Sequence, residues 1–455
     1  MKIKESLSTI IMACMLATYI AMPISATVPV EKYQFMIGTR DLGYFQTLFL
    51  KGFKASEKEL NNKTSAASQL EPAQQRQAIY RWMIQNQQKS ALGLVTSYPD
   101  HQEIEDQAFA YDQALAGIVL LKQGDTDAAR KLFEFFQINW DGHGLWTVYN
   151  SEKSDGPKIE YLKIMGPNAW VGLFSLQYFA KTGDARALRL ATDIAYWIAA
   201  LPHRNGGVAM GDGEDWKNSY SVENNLNYFA LLKYLSKNAS SPSEREFFTR
   251  EFVNLKKWFK HDAYNSGIGL FRRGAYRDST QALDSNTWAI LVFGPAELKK
   301  LFQVDANYLI KKAESIFTVQ EDGSFSENVL SAKGFDFSNA YNADLNQRHG
   351  IKWVEGTNQM TLAYKVMADH YLAKGPGGKN KAFYYNNRYE YFLGRNADNR
   401  VSQNDTAGYL YTDLPGAKVW ADNPYWFASK GPSVAATAWV YFSLNGINPF
   451  IIQAD

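Results

Sequence analysis

The feature that most restricts this sequence is a helical hairpin that keeps returning. Its clearest copy begins at Glu105-Asp106, runs through Phe109, Tyr111, Ala114, Leu115, Ile118, Val119 and Leu121, stops at Gly124-Asp125, and resumes at Ala128 with Leu132, Phe133 and Phe136. Apolar residues three and four apart mark helices, glycine ends the first and aspartate caps the second. The same punctuation returns at Gly183-Asp184, between helical stretches at 167–181 and 185–200.

Nearly uncharged helical stretches begin near Glu105, Pro167, Ser221, Leu283, Glu355 and Pro432. A more amphipathic stretch precedes each of them, at 72–88, 125–138, 184–200, 243–260, 305–318 and 380–393. Helices that are apolar nearly all round belong inside, and one-sided helices belong outside. Twelve helices alternating in this way predict an all-α (α/α)6 toroid, six inner helices ringed by six outer ones. No heptad is sustained, which excludes a coiled coil, and a repeat of roughly 55–75 residues is too long and too variable for a TPR-type solenoid.

The start of the chain is of a different kind. Lys2 and Lys4 precede an apolar stretch from Leu7 to Ile24 that ends in Ile24-Ser25-Ala26, the order of a cleaved export signal. Residues 1–26 are therefore expected to direct export to the periplasm or the exterior. Residues 27–455 would form one catalytic domain, with 27–70 packing on it as an extension. The only cysteine, Cys14, falls within the signal, so the mature chain would have neither disulfides nor thiol chemistry. No later run of apolar residues is long enough to span a membrane, and a monomer is expected. With 48 basic and 46 acidic residues and no run of like charge, the electrostatic footprint of a nucleic-acid partner is missing.

Short turns follow the inner helices, whereas long segments lead into them at 139–166, 201–220, 260–281, 319–354 and 394–431. Long loops gathered at one mouth of a helical barrel usually carry function. Short strands are expected among them, Leu145–Tyr149 pairing with Tyr161–Ile164. The mouth is also where the N-termini of the inner helices lie. Carboxylates occur there: Glu105, Asp106 and Asp112 on the first inner helix, Glu223 beside Asn224, Asp284 before Ser285-Asn286, and Glu355 four residues before Gln359. An acid in a first helical turn also caps free N–H groups, and Asp284 fits that role best. Asp112, read as two turns into its helix and about 10 Å from Glu105 along the axis, does not.

Paired carboxylates are what acid/base cleavage of a glycosidic bond requires, one protonated to assist the leaving oxygen and one ionised to activate water or attack carbon. Aromatic faces stack on sugars, and 15% of the residues are aromatic although the mean hydropathy is −0.35. Trp170, Trp216, Trp288, Trp353 and the Tyr425-Trp426 pair fall at or near the expected mouth, with Asn168, Asn224 and Gln359 as polar partners for a sugar; core packing is the alternative for each ring. The six histidines lack zinc-ligand spacing, and no phosphate loop, dinucleotide fingerprint or nucleophile elbow occurs. Asp212-Gly213-Glu214-Asp215 lacks EF-hand spacing and reads as a solvated loop, so no metal site is expected.

Tyr111-Asp112-Gln113-Ala114-Leu115-Ala116 is similar to an inner-helix phrase of the six-hairpin glycosidase superfamily, and Tyr389-Glu390-Tyr391-Phe392-Leu393-Gly394-Arg395-Asn396 resembles a late stretch of its endoglucanases. The Asn-Glu phrase and paired-Asp motif of those endoglucanases are missing, so the resemblance is to the superfamily. It implies a carbohydrate substrate, cleavage usually with inversion, and no organic cofactor. The expectation is a secreted glycoside hydrolase with Glu355 or Glu223 as general acid and Asp112 as base or sugar-positioning carboxylate, and with Glu105 and Asp106 as alternates. Two other readings stay open. A polysaccharide lyase or uronate epimerase on the same toroid would use Arg272-Arg273, Arg348 and His349; a glycan-binding protein would bind without turnover.

Overall fold

Six helices that are buried on every side can only be accommodated as an inner ring, and that is how they are arranged. The computed structural model describes residues 71–152, 162–214, 216–276, 278, 280–419 and 428–452. The expected export signal, the 27–70 extension and the Tyr425-Trp426 pair lie outside these residues. The inner helices are α2 (Ala110–Lys122), α4 (Met165–Thr182), α6 (Val222–Asn238), α8 (Leu283–Glu297, broken at Gly294, φ 72°), α11 (Val354–Leu372) and α13 (Val434–Asn445). The outer helices are α1 (Pro72–Lys89), α3 (Thr126–Asn139), α5 (Ala185–Ala199), α7 (Pro242–Trp258), α9 (Ala306–Phe317) and α12 (Lys379–Gly394). A short α10 (Ala340–Leu345) lies within the loop before α11.

Each inner helix packs against the next, and α13 packs back on α2, so the ring is closed. Outer helices α3, α5, α7, α9 and α12 pack on the inner helix just before them, and α1 covers α13. Asp125, Asp184 and Asp305 cap the outer helices that follow the tight turns, and Gly183 ends α4 in the left-handed conformation at φ 73°. The chain has the (α/α)6 toroid expected from its alternating helices, with starts and stops within a few residues of those read from the sequence. The exception is the first inner helix. It begins at Ala110, because Gln107–Phe109 forms strand β1, antiparallel to β2 (Val148–Asn150). Of the strand expected at 145–149, the part in β2 pairs with 107–109, and Thr147 donates its N–H to the carbonyl of Leu162, while Tyr161 of the expected partner lies outside the described residues.

A sixfold hydrogen-bonded belt fixes the loops to the ring. The fourth residue of every inner helix bonds the backbone of the loop leading into that helix. The side-chain amides of Gln113, Asn168, Asn225 and Asn286 accept from and donate to the backbones of Val95, Leu145, Val208 and Phe271. Thr357 and Thr437 accept from the N–H groups of Phe335 and Tyr409. Two residues further along each loop, a carbonyl accepts from the first N–H of the preceding inner helix. These bonds are Ala110 to Thr147, Met165 to Met210, Val222 to Arg273, Leu283 to Phe337, Val354 to Tyr411 and Val434 to Ser97, at 2.8–3.1 Å. The first helical N–H has no partner within its own helix, so the belt supplies one to every inner helix at the mouth.

Candidate active site

The register that places the fourth residue of each inner helix against the loops turns the second and sixth residues toward the axis, since residues four apart share a helix face. The second position is held in ring order by Tyr111, Gly166, Glu223, Asp284, Glu355 and Ala435. The sixth is held by Leu115, Trp170, Asn227, Trp288, Gln359 and Trp439. An acidic upper layer thus lies one helical turn above an aromatic lower one.

Contacts across the ring locate the axis. The Tyr111 hydroxyl on α2 donates to Glu355 Oε1 on α11 at 2.6 Å, and α2 and α11 are not neighbours in the ring. The same hydroxyl accepts from Trp439 Nε1 on α13 at 2.8 Å. Gln359 donates to Glu355 Oε1 at 3.2 Å and accepts from Thr287 at 3.3 Å. Beneath, Trp170, Trp288 and Trp439 from alternate inner helices form a triangle with ring separations of 5.6, 6.0 and 6.3 Å. Phe450, from the C-terminal segment, touches all three at 4.8, 5.3 and 6.3 Å.

The carboxylates lie close enough to one another to shift their titrations. Burial pushes Glu355 up to about 8; the bond from Tyr111 opposes this, and charge on Asp112 and Asp284 adds to it. Burial raises Asp284 to about 7 against bonds from Ser285, and raises Asp112 to about 7 against a bond from Ser97. Glu223 is held well above its ordinary range by burial and then by Asp284 and Glu355, with Arg273 opposing. Arg273 is itself buried in an ion pair with Asp278 at 3.0 Å. Asp112 Oδ2 has no hydrogen-bond partner among the described residues. Tyr98, packed edge-on to Phe109, is raised by burial and then by Asp112, Tyr411 and Glu355. Among the described residues, no group of three or more His, Cys, Asp or Glu side chains is arranged to hold a metal ion.

The sequence-predicted residues divide sharply. Asp112, Glu223, Asp284 and Glu355 come together, and Gln359 joins them as the residue that holds Glu355. Asp112 lies in the first turn of α2, not two turns in, because the helix starts late. For the same reason Glu105 and Asp106 are off the helix: Glu105 is exposed in a turn, and Asp106 accepts from Asn150 at 2.7 Å. Asn168 is committed to the belt and is not placed to bind sugar. Trp170 and Trp288 are core, as is Trp353, packed edge-on to Phe337. Trp216 lies buried in the loop before α6, and Asn224 is the third residue of α6, its N–H capped by Ser221. Of the residues named for a lyase or epimerase, His349 is exposed and Arg348 is forked onto buried Asp336 at 2.6 and 3.0 Å. The sequence reading missed Tyr111 as a partner of Glu355; its place one residue before Asp112, in register with Glu223, Asp284 and Glu355, was the available signal.

No family model matches the chain, and no curated protein is significantly similar to it in sequence. Solved structures are similar in fold. A glycosidase crystallised with glucose has a TM-score of 0.56 at 10% identity, over 84% of this chain and 100% of that one. A sugar epimerase from a ruminal bacterium scores 0.57 at 12% identity, over 86% and 98%. An α-mannanase from Bacteroides thetaiotaomicron scores 0.53 at 12% identity, over 83% and 96%. At these identities the likeness establishes the six-hairpin toroid fold.

Proposed function

We propose that this protein is a glycoside hydrolase, exported by way of residues 1–26, in which Glu355 is the general acid and Asp112 the base. One observation carries the reading: Glu355 accepts both of its hydrogen bonds on Oε1, while Asp112, which is electrostatically coupled to it, has a bare Oδ2. With Oε1 occupied by donors, the proton of a neutral Glu355 sits on Oε2. That proton passes to the glycosidic oxygen as the bond from the anomeric carbon to that oxygen breaks. Water attacks the anomeric carbon and loses its proton to Asp112, so the configuration inverts. Charge on Asp112 adds to the burial that keeps Glu355 protonated, while Asp112 itself is raised by burial against a bond from Ser97, so the ionised base favours the protonated acid beside it. Glu223 and Asp284 would position sugar hydroxyls. Fold-level neighbours that act on carbohydrates, a glycosidase, an epimerase and a mannanase, support a sugar substrate.

The test is turnover of a glycan panel by the Glu355→Gln, Asp112→Asn and Glu223→Gln variants, with folding checked by circular dichroism. A loss of about 10²–10⁴-fold is expected for the first two. Near-wild-type rates in all three overturn the assignment. Proton NMR of the first-formed anomer reads the stereochemistry directly.

A further inference from the structure

We infer that this centre, given the glycosidase reading above, takes one uncharged sugar ring at the end of a chain and not an internal stretch of a polymer. Three independent observations lead there, and the first is depth. Asp112, Glu223, Asp284 and Glu355 retain only 2–4% of their surface. A polymer that crosses a site needs a groove open at both ends, which would leave the carboxylates exposed along it. These four lie inside the ring, below the loops fixed by the belt.

The second observation is a closed floor. The tryptophan triangle lies four residues below the acidic layer, about 6 Å along the axis, and closes directly onto it, with Trp439 Nε1 donating to the Tyr111 hydroxyl and the Trp170 ring 5.5 Å from that of Tyr111. Phe450 seals it from the far side. Its segment is held by Gln177 donating to the Pro449 carbonyl at 2.8 Å and Asn448 donating to the Leu291 carbonyl at 2.7 Å. A chain that enters from the mouth therefore cannot pass through. Gly166 and Ala435, the small members of the acidic layer, flank Tyr111 and leave two stretches of wall without long side chains.

The third is charge. Among the described residues, the four carboxylates meet one arginine, Arg273, which already neutralises Asp278. A uronate carboxylate brought here would be buried among acids with no unpaired cation beside them among the described residues, whereas hydroxyls can donate to every acid present.

The experiment incubates the full-length protein with reducing-end-labelled hexasaccharides of glucose and mannose in α and β linkage, and with labelled hexagalacturonate. The labelled pentamer and free monosaccharide are expected first, with hexagalacturonate at least about 100-fold slower. Labelled dimers to tetramers in the first minutes, or comparable cleavage of the uronate, overturn the inference while leaving the hydrolase reading intact. A second measurement, calorimetric binding of glucose, mannose and galacturonate to the Glu355→Gln variant, separates the two claims. Binding of a neutral monosaccharide without cleavage of any hexasaccharide refutes the hydrolase and supports the one-ring site; failure of both refutes both.

Discussion

Replacing Glu355 with glutamine should make the protein progressively more stable than wild type as the pH rises. The Glu355 carboxyl titrates near 4.5 when unperturbed and is pushed up to about 8 in the fold. Between those values the unfolded chain has released this proton and the native chain still holds it. The native state then binds one more proton, and its stability falls by about 1.4 kcal/mol for each pH unit. The contribution is complete below the unfolded value and is lost as the pH climbs through the folded one. The amide has no proton to hold, so the variant lacks this slope. From about pH 5 to about pH 7.5 the gap between the two proteins should widen by about 3 kcal/mol in favour of the variant. Asp112 and Asp284, both raised to about 7, slope the same way and remain in both proteins. Urea denaturation followed by circular dichroism across this range measures the gap. Parallel stability curves would refute the reasoning, since they would mean that Glu355 is ionised in the native state at neutral pH.

Tyr111→Phe removes a donor that favours the charged form of Glu355, so its carboxyl should move up by roughly 1–2 pH units, from a bond worth about 1.5–3 kcal/mol. The alkaline limb of kcat/KM should shift upward accordingly; a downward shift would remove Glu355 from the acid role. Asn225→Ala strips the belt from Val208 and leaves its buried N–H and C=O without partners, at a cost of about 2–5 kcal/mol in denaturant unfolding. A loss below about 0.5 kcal/mol would show that the loop satisfies itself. Glu105→Gln should leave turnover on the best glycan unchanged, because the side chain is exposed outside α2; a clear loss would return it to the site.

The alternation of all-apolar and one-sided helices made the ring legible, because burial on every side leaves a helix no other place. Glu223, Asp284 and Glu355 were legible for a related reason: acids at the mouth ends of such helices stand out against an uncharged background. The start of α2 was not, since Gln107-Ala108-Phe109 continues an apolar helical pattern and becomes a strand only through pairing with 148–150, far along the chain. Trp170 and Trp288 were misplaced because a ring near a helix start can face either the mouth or the axis, and only the register of sixth residues decides. Asn168 shows the same ambiguity for a polar residue. Its amide reads equally as a sugar contact or a backbone clamp until Leu145 is placed beside it.

The belt has a seam. Five of its inter-helix bonds join neighbours in the sequence, but the sixth, from Val434 to Ser97, joins the last inner helix to the loop before the first. A chain emerging from the ribosome can assemble hairpin upon hairpin, yet its lumen stays open on one side until α13 arrives. Trp439 then supplies both the third corner of the floor and the donor that bonds Tyr111. The acids are consequently enclosed last, so a nascent or truncated chain that lacks α13 has no closed centre. The slow step of folding should be this long-range closure, which gathers about three quarters of the chain into one loop before its contacts form.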